Sequence, residues 1–189
     1  MNFNDCQQFF GRENLFDISD VVFVSHIFIE SITDRLKSDG GRAMGLFDKL
    51  KKRKVEKKQK LELFVSKATK AAIAIANAYD EKFDFSEESI TSLEKLLDGF
   101  SKSIPESNPE EEQIGHLSII LGTYLGETLL KNGLAEKGYY WDVVKPSSIP
   151  VLTHENGNIL TPNDKVYKRL VNGEEDNVVS FYRFAMTKL

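Results

Sequence analysis

YYWDVVKPSSIPVLTHENGNILTPND, residues 139–164, is where the chain changes its hydrophobic period. Tyr139 to Val144 and Ile149 to Leu152 are aromatic and β-branched runs. Such residues fit a pleated, half-buried surface, so both runs are read as strands. Asn156-Gly157 is a strong hairpin turn ahead of Ile159-Leu160. Pro150, which has no backbone donor, belongs at an edge or at the start of a strand. Thr161-Pro162-Asn163-Asp164 then restarts helix, with Thr161 as N-cap and Asp164 reaching back to it. Helices, a small antiparallel sheet and closing helices together make the fold class α+β.

The helices on either side are read from spacing. Leu61, Phe64, Val65, Ala68, Ala72, Ile75, Ala76 and Tyr79 recur every three or four residues and form one helical stripe. Phe83-Asp84-Phe85 alternates as a brief strand or extended turn, and Ser86 caps a helix whose buried face is Ile90, Leu93, Leu96, Leu97 and Phe100. Ser101 to Asn108, containing Pro105, reads as a loop. Asn108-Pro109-Glu110-Glu111 then has the order of a helix start: cap, proline, and acids at the positive end of the dipole. That helix is expected to run to Asn132 and to stop at Gly133. Gly115, Ser118, Gly122 and Gly126 leave one of its faces nearly bare. Because each helical glycine costs ~1 kcal/mol of propensity, another backbone is expected to press close there. The following helix ends at Asn172-Gly173, and Asp176 is read as the cap of a last one through Val178, Val179, Phe181 and Tyr182.

With 189 residues, 41% of them hydrophobic, the chain can bury a real core. It divides into an N-terminal extension, 1–43, a basic amphipathic lead-in, 44–60, and a single α+β domain, 61–189. Gly40-Gly41-Arg42-Ala43 precedes Met44. Two readings stay open: a ribosome-binding sequence translated in frame, making Met44 the natural start, or an ordinary linker. The longest apolar run, Val21 to Ile29, is about half of the ~20 residues a membrane helix needs, and its periodicity does not separate strand from helix. MNFNDCQQFF has no basic region of the kind that opens a signal peptide. The single cysteine, Cys6, allows no internal disulfide and suits a reducing cytosol, so the expected location is cytoplasmic.

Charge is unevenly placed. Residues 1–60 carry a net +3 and residues 61–189 a net −7, within an overall −4. An acidic body argues against nucleic acid as a partner, because phosphate contacts need basic groups concentrated on one face. Eight of the twelve residues from Lys49 to Lys60 are basic. Leu46, Phe47 and Leu50, followed by Lys51, Lys52, Arg53 and Lys54, could lie on an anionic membrane surface. The plainer alternative is a solvated helical lead-in. Met44-Gly45 opens a myristoylation pattern, but Lys49 stands where Ser or Thr is wanted.

Motifs that carry chemistry are missing. His26, His116 and His154 have no metal-ligand spacing, so no metal or other cofactor is expected. No nucleophile elbow, phosphate loop or dinucleotide fingerprint occurs, and no catalytic residue is assigned. The polar residues that remain as binding candidates are Glu127, Trp141, Asn172 and Asp176. His116 and Thr123 share a helix face with Glu127, but His116 lies ~16 Å from Glu127 along the axis, too far for direct proton exchange.

LGTYLGE (Leu121 to Glu127), the Tyr140-Trp141 strand, Pro162-x-x-Lys165-Val166-x-Lys168 and NGEEDNVVSFY (Asn172 to Tyr182) together resemble a family of small bacterial proteins carrying a domain of unknown function. The likeness spans Phe83 to Phe184, with Asn177 where that family has Ser. It implies a fold more than an activity. Some such domains look like partners or immunity proteins of bacterial toxins, an analogy that fixes no residue. The expectation is therefore a non-enzymatic, protein-binding domain that captures a basic partner through its acidic surface. Two alternatives stand beside it: a peripheral membrane protein using 44–60, and an enzyme using Glu127 and Asp176.

Overall fold

The computed structural model describes residues 43–144 and 149–189. Cys6, the Val21–Ile29 run and Gly40-Gly41 lie outside the described residues, as do the side chains of Leu46, Phe47, Leu50, Lys51 and Arg53. Among the described residues five α-helices and three short strands form an α+β fold. Helix α1 is Ala43–Ala78, α2 Glu87–Ser107, α3 Glu111–Leu129, α4 Pro162–Asn172 and α5 Val178–Lys188. Strands β1 (Tyr140–Asp142), β2 (Val151–Thr153) and β3 (Ile159–Leu160) form one antiparallel sheet in sequence order, with Trp141 opposite Leu152 and Leu152 opposite Leu160.

The core is built around α3. Thirteen of its nineteen residues are buried, so it is covered nearly all round, as an unusually apolar helix must be. Helices α1 and α4 supply most of that cover. The α1 stripe faces inward as its spacing requires, with Phe64, Val65, Ala68, Ala72, Ile75 and Ala76 buried. N-terminal to Phe64 the same helix continues as a basic rod in which Lys52, Lys54 and every residue from Val55 to Lys60 are exposed. The lead-in and the stripe are thus one helix. All five apolar residues expected on the inner face of α2 are buried.

Several boundaries move from their expected places for identifiable reasons. Helix α2 runs through Pro105 to Ser107 instead of giving way to a loop at Ser101. The proline falls in the last turns, and the chain closes at Asn108, which adopts the left-handed conformation (φ 44°, ψ 55°) and donates its N–H to Ile104 O. Asn108 is therefore the C-cap of one helix and not the N-cap of the next. Helix α3 begins at Glu111, where Gln113 Oε1 accepts from the Glu110 N–H at 2.7 Å. Its far end stays where expected: helical backbone continues past Leu129 to Asn132 and breaks at Gly133 (φ 132°). Phe83-Asp84-Phe85 forms a bend, not a strand, and Ser86 caps α2 as expected, accepting from Ser89 N at 3.2 Å. Thr161 makes no side-chain cap; Asp164 pairs with Lys168 at 2.9 Å instead. Asn177, not Asp176, caps α5 by accepting from Ser180 N at 3.1 Å.

A polar node that spacing does not announce joins the helices. Arg169 on α4 is 1% exposed. It donates through Nε to Glu94 Oε1 at 2.6 Å and through Nη2 to Asp98 Oδ1 at 3.0 Å. The other Glu94 oxygen accepts from Val178 N at 2.8 Å, the first residue of α5. One carboxylate thus ties α2 to α4 and α5, and a buried charge set of this kind holds only when each member is satisfied.

Candidate functional site

The LGTYLGE segment positions the residues around it. Tyr124 is fully buried; its hydroxyl donates to Ser89 Oγ at 2.7 Å and accepts from Phe85 N at 3.0 Å. Phe83 and Phe85 stack on its ring at centroid distances of 4.1 and 5.2 Å. Gly122 lies against the Asn163 backbone of α4, and Gly126 against the Trp141 indole, so a Cβ at either would collide. Gly115 has open space where its Cβ would be. The bare face is therefore a close-approach seam at two positions and one wall of an open groove at the third.

Gly126 and Glu127 act together on Trp141. With no side chain at 126, the six-membered ring of the indole closes on α3, and its Nε1 donates to Glu127 Oε1 at 2.8 Å. Two expected binding residues are thus brought together, Glu127 as the clasp that orients Trp141. The other two also meet, elsewhere. Asn172 Nδ2 donates to Asp176 Oδ2 at 2.7 Å, and Lys165 Nζ donates to Asp176 Oδ1 at 2.7 Å. The Lys165 hydrogen bond, supported by Asn172, holds the Asp176 carboxyl below its ordinary value. Among the described residues Glu127 and Asp176 have separate partners, Trp141 for the first and Lys165 and Asn172 for the second. Thr123 is buried and donates to Ile119 O at 2.7 Å, and His116 faces Glu112 at 3.7 Å. Neither joins Glu127.

Two grooves frame these elements. The first, about 660 Å³, lies between the N-terminal turns of α3 and α4 and the entry to β2. Its floor is Gly115, Ile119, Pro150 and Val151, and its rim carries Glu111, Glu112, Asp164 and Tyr167. Asn163 fixes the geometry by donating Nδ2 to Pro150 O at 2.9 Å, which pins the strand entry to α4. Glu111 accepts from the Tyr167 hydroxyl at 3.2 Å; burial, with Glu111 adding to it, raises the Tyr167 pKa. Among the described residues neither Glu111 nor Glu112 has a Lys or Arg partner. The sequence marked Glu111, with Glu110, only as a first-turn acid and did not single out Glu112; the groove needs Pro150 and Asn163 brought beside them.

The second groove, about 630 Å³, follows α1 opposite Trp141. Aliphatic side chains of α1 form one wall, and Phe85, Tyr140 and Trp141 form the other. Phe85 has φ 65°, a left-handed conformation that is uncommon for a bulky residue. Lys131, in the last helical residues before the break at Gly133, places Nζ 3.1 Å from its ring centroid.

No helix among the described residues is long and apolar enough to cross a membrane. Comparison with protein-family models, with curated proteins and with solved structures returned no match, so function is read from the geometry alone.

Proposed function

We propose that this chain is a non-catalytic binding protein of the bacterial cytoplasm. Its acid-rimmed groove between α3, α4 and β2 receives a basic, apolar-anchored segment of a protein partner. The observation that carries this reading is the meeting in one concavity of the Ile119, Pro150 and Val151 floor with Glu111 and Glu112, which no Lys or Arg among the described residues pairs with. The floor supplies affinity by burying apolar area, at about 25 cal/mol per Å². The rim steers a cationic segment into register and raises the rate of capture. The net −7 of residues 61–189 extends the same field over the body, as suits an immunity-type neutraliser of a basic protein.

The test uses a synthetic amphipathic Lys/Leu helix, with a Glu/Leu helix of the same length as control, titrated into the full chain by fluorescence anisotropy. The Lys/Leu helix is expected to bind, to weaken as salt rises, and to lose affinity in Glu111→Lys/Glu112→Lys and in Ile119→Arg. Equal binding of the two helices, or binding untouched by the variants, overturns the proposal.

The exposed basic half of α1, including Lys52 and Lys54, favours a second reading in which residues 44–60 contact an anionic lipid surface. Salt-sensitive pelleting with phosphatidylserine vesicles, lost when 44–60 is deleted, is its signature; no pelleting at low salt dismisses it.

A further inference from the structure

We infer that the groove along α1 is a binding site for a small anionic amphiphile, with an apolar body between α1 and Trp141 and a carboxylate, sulfate or phosphate head toward Lys70 and Lys131. Its volume, about 630 Å³, lies within the range of small-molecule sites, and its lining is largely apolar and aromatic.

Four features converge on this groove. Phe85 is held at φ 65°, a conformation that costs on the order of 1–3 kcal/mol and persists only when its surroundings enforce it. Its N–H is bonded to Tyr124 and its ring is covered by Lys131. The second feature is the end of α3, where the chain breaks at Gly133 (φ 132°) and the two preceding residues Leu130 and Lys131 line the groove. Thr69, third, lines it from α1: the residue is 8% exposed and its hydroxyl has no hydrogen-bond partner. Finally, Trp141 is oriented by the Glu127 clasp so that its indole forms part of the wall.

The sign of the head group follows from which charges are already engaged. Glu62 faces Lys58 at 3.9 Å, and Glu127 accepts from the neutral Trp141 indole, which leaves its formal charge uncancelled, so Lys58, Lys70 and Lys131 stand against Glu62 and Glu127 and the lining keeps one positive charge in excess. Among the described residues Lys70 and Lys131 have no carboxylate partner, although both line the groove. An anion entering here meets these two ammonium groups, and its chain replaces water along Leu61, Val65 and Ile73.

Trp141 is the only tryptophan, so its emission reports this groove without a label. The full chain is titrated with dodecanoate below its aggregation concentration. Dodecyl sulfate and dodecyl phosphate serve as alternative heads, and dodecyltrimethylammonium as the cationic control. A saturable, one-to-one change in Trp141 emission is expected with the anions. Affinity should fall at least tenfold in Lys70→Glu/Lys131→Glu, with circular dichroism unchanged. The proposal fails if the anions produce no saturable change, if the cationic chain binds as tightly, or if the charge reversals leave affinity intact. Should the double variant fail to fold, the comparison of anionic and cationic chains on the native protein decides alone.

Discussion

Replacing Arg169 with Met removes a guanidinium from the interior while keeping most of its apolar stem. Two charge-assisted hydrogen bonds are lost, to Glu94 at 2.6 Å and to Asp98 at 3.0 Å, and bonds of this type contribute about 1.5–3 kcal/mol each. Their fates differ. The Asp98 side chain is 40% exposed and regains water, so its share falls at the low end. Glu94 is 14% exposed and stays largely enclosed, still bonded to Val178 N and without its cation. A loss of about 3–5 kcal/mol is expected, the range for breaking a buried pair from one side. With a urea m-value of about 2 kcal/mol per M, the unfolding midpoint drops by roughly 2 M with the slope unchanged. Because the pair is buried, added NaCl should alter the difference little. Glu94→Gln keeps an acceptor for the Val178 amide, so the Arg169→Met/Glu94→Gln double variant should regain part of the loss. A cost under about 1 kcal/mol, or a double-mutant cycle with no coupling, refutes the placement of this node.

Gly115→Ala should gain up to about 1 kcal/mol of helix propensity because its Cβ meets open space. Gly122→Ala should lose roughly 1–3 kcal/mol by forcing α3 off the Asn163 backbone; the reverse order in thermal unfolding contradicts the seam. Thr69→Val should raise stability by about 1 kcal/mol, since the hydroxyl it removes is buried without a partner, and a destabilised variant would show that the hydroxyl is bonded after all. The folded state lowers the Asp176 pKa, so this carboxylate stabilises the fold fully at neutral pH. That contribution disappears as pH falls below the ordinary 3.8. Asp176→Asn should flatten the acid limb of a stability–pH curve, and an unchanged limb counts against the Lys165 tie.

What could be read in advance was the periodic part. The α1 and α2 stripes and the switch to strands at Tyr139 are local patterns, and burial follows them. Caps were ambiguous for physical reasons: asparagine serves both helix starts and left-handed helix ends, which misplaced Asn108, and Asp176 and Asn177 are adjacent residues that both make good N-caps, which shifted the start of α5 by one. Glu127 and Trp141 were legible as polar candidates, yet their pairing depends on Gly126 admitting the indole. Arg169 gave no signal, because its partners lie 75 and 71 residues away and a lone basic residue in an amphipathic helix reads as solvated. The acid-rimmed groove was illegible for the same reason, being assembled from three separated segments.

Helix α1 is one uninterrupted rod whose C-terminal half is clamped in the core and whose N-terminal half begins about 30 Å further out, at 1.5 Å per residue from Phe64 back to Ala43. A stiff outrigger of that length fixes a standing distance and a heading. A contact made at its tip would be held at arm's length from the domain, and a pull there would reach the same helix that walls the tryptophan groove.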